Sequence, residues 1–214
     1  MKAILLGSIG VLADTSAMWR LAFRNAFRDH GLRFGARHKP YVDQLSIFAA
    51  LRSGSLDDAS VPISSLLEAR DRHFGRALST GPVAPRKGLT DLIAAAGQVR
   101  VPLGLVATTP MAWTVSVFEA LALPPESFDM IVTADHIVAA KPAPDCYHFA
   151  AAMLATAPED CLVIEDNRAG VAAARAAGMQ VIDLSPGSPP GRGEPLIEAR
   201  SRLPQRDLAG IRGA

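Results

Sequence analysis

Five short apolar runs recur along this chain, separated by stretches of helical periodicity, and that alternation limits what it can fold into. Residues 3–6, 102–107, 130–132, 162–164 and 181–184 are mostly aliphatic, the pattern of strands buried on both faces of a sheet. Between them, residues 89–96, 113–122, 145–155 and 169–177 carry apolar side chains at helical spacing. Such a rhythm predicts an α/β fold, a three-layer, doubly wound parallel sheet with right-handed crossovers. Ligands of such sheets sit beyond the carboxyl ends of the strands. Gly7, Thr108, Lys141 and Asp166 all fall at or just after an expected strand end, so one crevice would collect them.

Residues 15–82 break the rhythm. Helical patterns run over 15–30, near 41–51 and over 60–78, with turns at Gly31 and at Ser53-Gly54-Ser55. The expected organisation is a core from residues 1–14 and 83–214, with a small all-helical domain of residues 15–82 inserted after the first strand. The Pro/Gly-rich stretch 186–195 reads as an irregular surface loop, with no second core beyond it.

Composition narrows the function classes. At 214 residues there is room for one large core and a small appendage. The 18 Arg and 4 Lys nearly balance the 21 acids, for a net charge of +1. Neither a nucleic-acid stripe nor a basic membrane patch is expected. No apolar run approaches the roughly 20 residues of a membrane span, and MKAILLG is interrupted too early for a signal peptide. The expectation is a cytoplasmic protein. Cys146 and Cys161 lack metal-binding spacing and read as small buried apolar groups.

Four segments carry the chemistry: AILLGSIGVLADT (3–15), VATT (106–109), KPAPD (141–145) and LVIEDNRAGVAAARAAG (162–178). In this order and spacing they resemble the motifs of the haloacid dehalogenase (HAD) superfamily, in particular its capped sugar-phosphate phosphatases and the group around beta-phosphoglucomutase. The resemblance implies a HAD-like Rossmannoid core with a helical cap, Mg²⁺ as cofactor and a phosphorylated metabolite as ligand. Those enzymes open on a hydrophobic strand ending in Asp-x-Asp-Gly, where the first Asp attacks phosphorus and the second handles the leaving-group proton. The same register here gives Gly7-Ser8-Ile9-Gly10. Both carboxylates are absent, at Gly7 and at Ile9.

The other roles transfer residue by residue. Thr108, with Thr109 beside it, matches the hydroxyl position that holds the phosphoryl group, although a Thr there could equally cap the following helix. Lys141 matches the lysine that neutralises nucleophile and phosphate together. Glu165 and Asp166 match the acidic pair that holds Mg²⁺, and a helix-capping role is their bland alternative. Asp14, beside Thr15, reads as a cap for the first inserted helix. In an extended strand residues 7 and 9 share a face, which points Ser8 the other way. With one carboxylate ligand gone, Mg²⁺ binding is expected to be weak or absent. Aspartates returned to positions 7 and 9 are expected to restore it. The inserted domain departs too: Trp19 stands where some relatives carry a histidine, and DQLSIFAAL (43–51) lacks the glycines and cation of their gripping loop.

These departures favour a catalytically impaired pseudoenzyme that binds a phosphorylated ligand, free phosphate or a partner. The rival is an active phosphate-ester hydrolase with an unorthodox mechanism, water attacking a phosphate held by Thr108 and Lys141. A third reading is a subunit that dimerises, with itself or with an active paralogue.

Overall fold

The computed structural model describes residues 1–35, 61–185 and 195–204. Its centre is a five-stranded, all-parallel sheet in the order β3-β2-β1-β4-β5. The strands are β1 (Ala3–Leu6), β2 (Leu103–Val106), β3 (Met130–Val132), β4 (Cys161–Glu165) and β5 (Gln180–Asp183). All five expected strands are present, with boundaries shifted by at most one residue. Leu6 pairs with Leu105 on one side and with Ile164 on the other. The carboxyl ends of β1, β2 and β4 therefore lie level, and the residues after each strand arrive at the same edge.

Alternation along the strands sorts the core into two layers. Ile4, Leu6, Leu105 and Ile164 face one side, packed with Leu89 and Leu92 of α4 (Leu89–Val99), Val117 and Phe118 of α5 (Met111–Leu121), and Leu196 of α8 (Pro195–Ser201). Ala3, Leu5 and Val163 face the other. They meet Tyr147 and Ala150 of α6 (Asp145–Met153) and Ala173 and Ala174 of α7 (Arg168–Ala176). The alanines of α7 bring its backbone close to the sheet. Both cysteines are buried in this second layer as free thiols.

Between β1 and α4 the chain forms a short helix α1 (Ile9–Leu12), then α2 (Ser16–Asp29) and α3 (Ile63–Thr80). The latter two are amphipathic and pack on each other through Phe23, Phe27 and Leu66. Their other contact is with the sheet layer: Ala22, Phe74 and Leu78 belong to the same buried cluster as Ile4 and Leu6. Trp19 is the bridge. It packs edge to face on Phe74 at 4.8 Å between ring centroids and on Trp113 of α5 at 5.6 Å. Ala13 and Pro85 form an antiparallel bridge where the segment begins and ends. Asp14 accepts from the Ser16 backbone N–H at 3.1 Å, the capping role its position predicts.

The expected helix at 41–51, the turn at 53–55 and residues 186–194 lie outside the described residues. Pro195, expected in a loop, instead opens α8, consistent with proline's preference for a first helical turn. Among the described residues no helix is long and apolar enough to cross a membrane.

Candidate active-site crevice

β1 ends at Leu6, and the chain turns at once. Gly7 still donates its backbone N–H to Ile164 O at 2.7 Å, but Ser8 is already the N-cap of α1. The expected alternation across residues 7 to 9 does not hold: Ser8 keeps an extended backbone, but α1 begins at Ile9 and breaks the strand pattern. Ser8 turns into the crevice. Its hydroxyl donates to Asp166 Oδ1 at 2.7 Å and accepts from the Gly10 backbone N–H at 2.9 Å. Ile9 is buried in the same cluster as Phe74 and Trp113.

Lys141, read as a loop residue, is sealed from solvent together with Glu165. Its ammonium donates to the carbonyls of Gly7 and Val106 and to Glu165 Oε1, the last at 2.5 Å. An ammonium has three N–H groups, and three acceptors surround this one. Two of them end neighbouring strands, so the lysine ties β1 to β2 and, through Glu165, to β4.

Glu165 is the most enclosed acid of the site. Tyr147 donates to its Oε1 at 2.9 Å. Its Oε2 accepts from the Asp166 backbone N–H at 2.9 Å, the Asn167 backbone N–H at 3.2 Å and Asn167 Nδ2 at 2.8 Å. Burial pushes this carboxyl above the usual range and the Lys141 ammonium pulls it back. Five donors, one of them the Lys141 ammonium, surround its two oxygens, an arrangement that favours the ionised form. Burial, then the Glu165 charge, hold the Tyr147 phenol well above its ordinary value.

Asp166 faces the crevice half-exposed, its Oδ1 also 3.3 Å from Asn167 Nδ2. Asn167 caps α7 by accepting from the Gly170 N–H at 2.8 Å. Thr108 lies two residues past β2, half-buried, in no hydrogen bond to the Lys141–Glu165–Asp166 group. Thr109 turns towards the β3 loop, where its carbonyl accepts from Ala134 N at 3.0 Å. Its hydroxyl is shielded and has no partner among the described residues. The capping alternative for Thr108 also fails: Pro110 precedes α5, and Met111 N–H donates to Asp135 Oδ2 at 3.1 Å.

Sequence reasoning missed Tyr147 and Asn167. Tyr147 shares a helical stripe with Ala150, Ala151 and Leu154, so an inward-facing phenol needing a partner was legible there. Asn167 three residues before Gly170 is a capping signature.

HAD-family phosphatases generally use Mg²⁺, which asks for several oxygen ligands in octahedral array. Here both Glu165 oxygens are committed to five protein donors, and Asp166 is the carboxylate left facing the crevice. Among the described residues no group of three or more His, Cys, Asp or Glu could hold a metal ion. These residues do not fit the ion.

Helices on both faces of a parallel sheet, with a lysine and an acidic pair at its carboxyl edge, define a Rossmann-like α/β fold of the hydrolase type. The haloacid dehalogenase-like hydrolase family matches residues 1–178, and the chain belongs to it. It is 32% identical over 195 residues to protein CbbY of Cereibacter sphaeroides, covering 87% of this chain and 84% of that one. Beta-phosphoglucomutase of Bacillus subtilis is 26% identical over 206 residues, 93% and 87% of the two chains. The crystal structure of a CbbY variant from Rhodobacter sphaeroides in complex with xylulose-(1,5)bisphosphate superposes with a TM-score of 0.73 at 31% identity. It covers 86% of this chain and 85% of that one. The protein is thus a HAD-family, phosphatase-like chain similar to CbbY and to the sugar-phosphate enzymes.

Proposed function

We propose that this protein no longer performs phosphoryl transfer and works by binding, as a pseudoenzyme whose ligand is a phosphorylated small molecule or a partner chain. Residues 15–82 act as its cap. One observation carries the reading: no carboxylate extends from residue 7, and the space beside Lys141 where one would stand is filled by Glu165. Phosphoryl transfer depends on positioning and on charge neutralisation. Among the described residues, neither a carboxylate nucleophile nor an uncommitted cation stands at that point. The ligand class comes from relatives, one of which holds a sugar bisphosphate in its crystal structure. Among the described residues, Thr108 and Ser8 are polar side chains that would meet it here, whereas the Thr109 hydroxyl is shielded.

A screen of sugar phosphates and an aryl phosphate with Mg²⁺ tests this reading. Wild type is expected to show no turnover above folded Lys141→Ala and Asp166→Asn controls. Robust Mg²⁺-dependent turnover lost in both controls would overturn it. The rival, an unorthodox hydrolase, draws support from the Ser8–Asp166 contact at 2.7 Å, which sets a hydroxyl on a carboxylate inside the crevice. Metal-independent turnover abolished by Ser8→Ala would establish that rival.

A further inference from the structure

The geometry points to a transplanted carboxylate: Glu165, reaching from the end of β4, occupies the side-chain space of residue 7 and supplies the counter-charge of Lys141. A Cβ on Gly7 would lie 2.3 Å from Glu165 Cγ, 2.5 Å from Cδ and 2.6 Å from Oε1, closer than carbon and oxygen atoms can pack. A Cβ on Gly170 would lie 1.7 Å from Oε1 and 2.0 Å from Cδ of the same side chain. Two glycines from different elements, one after β1 and one in the first turn of α7, leave the cavity that this carboxylate fills. Neither has a positive φ, so space and not backbone freedom accounts for them.

Charge explains why the cavity is filled by an acid. An ammonium buried away from water requires an opposite charge and full hydrogen bonding. With no side chain at position 7, Glu165 Oε1 is the anion that Lys141 Nζ meets, at 2.5 Å. The floor of the crevice becomes a closed, neutral pair, locked from behind by the Tyr147 hydroxyl. This goes beyond the proposed loss of activity, because it names what replaced the missing acid. It also explains the misfit to Mg²⁺: the glutamate is turned inward, away from a ligand. On this inference, aspartates returned to positions 7 and 9 are expected not to restore the site while Glu165 stands there.

A double-mutant cycle read by urea unfolding tests the inference. Gly7→Ala is expected to lower the unfolding midpoint of wild type and to leave that of a Glu165→Ala protein unchanged or higher. Gly7→Asp is expected to raise the Glu165→Ala midpoint, because a carboxylate returns beside Lys141. An equal loss from Gly7→Ala in both backgrounds, or no gain from Gly7→Asp, would overturn the inference. Should Glu165→Ala fail to fold, Glu165→Asp withdraws the carboxylate by one methylene. The Gly7→Ala loss should then shrink, and an undiminished loss overturns the inference equally. These readouts are of stability, so they stand or fall separately from the turnover that tests the proposed function.

Discussion

The Ser8 hydroxyl donates to Asp166 Oδ1 at 2.7 Å, joining the turn after β1 to the end of β4 across 158 residues of sequence. The same oxygen caps α1 by accepting from Gly10 N–H. One small side chain thus fixes the first turn of the crevice from two directions. Removing it by Ser8→Ala leaves a cap donor and a carboxylate oxygen each short of a partner. The expected loss is about 1–2 kcal/mol of unfolding free energy, measured by urea titration. A change within experimental error would show that water replaces both contacts without cost.

Lys141→Ala should be the most damaging single change in the crevice. It strands the Glu165 carboxylate in the interior and frees the Gly7 and Val106 carbonyls. Breaking a buried pair from one side costs about 3–5 kcal/mol. Thermal unfolding of Lys141→Ala beside Ser8→Ala checks the ranking. A Lys141→Ala protein as stable as wild type would contradict the buried pair.

Trp113 anchors α2 and α3 to the sheet layer through Trp19 and Phe74, with Phe74 and Trp113 ring centroids 4.7 Å apart. Trp113→Ala is expected to cost about 3–5 kcal/mol as a buried aromatic truncation. In a cycle with Trp19→Ala the coupling should reach about 0.5–1.5 kcal/mol. Simple additivity would mean that the helical pair is held elsewhere.

Alkaline pH should destabilise the protein through Cys161. Burial pushes its thiol up to about 11 from the ordinary 9.0. The folded state therefore holds this proton more tightly than the unfolded chain does. Its contribution to stability is complete below about pH 9 and declines as pH rises towards 11. Cys161→Ala should flatten the fall in unfolding free energy over that window, and an unchanged slope would assign it to other groups. Both thiols should also resist a thiol reagent at neutral pH until the protein unfolds, because the thiolate is the reactive species.

Much of this was legible in the chain. The central strands β1, β2 and β4 announce themselves because a strand buried on both faces has few polar positions to interrupt its run, whereas the edge strand β5 is only partly buried. Three crevice residues were legible for a topological reason: Gly7, Thr108 and Asp166 each follow a parallel strand, and such strands end at one edge, whereas Lys141 stands well beyond β3 and enters the group through its ammonium. Asn167, Tyr147 and the helix α8 were present in the sequence but weakly signalled. Tyr147 and α8 depend on partners distant along the chain, whereas Asn167 caps α7 through Gly170 three residues on.

The sequence by itself determined the sheet, the family and the absence of both aspartates, since each is written in local pattern or in residue identity. Only the tertiary structure decided what that absence means. Ser8 faces Asp166 because β1 stops at Leu6 and α1 begins at Ile9, where alternation assumes a continuous strand. Glu165 stands in the place of a side chain at Gly7 because β1 and β4 are neighbours in the sheet, with Leu6 level with Ile164. Which carboxylate answers a buried lysine is settled by distance and free space, and neither is a property of any segment read alone.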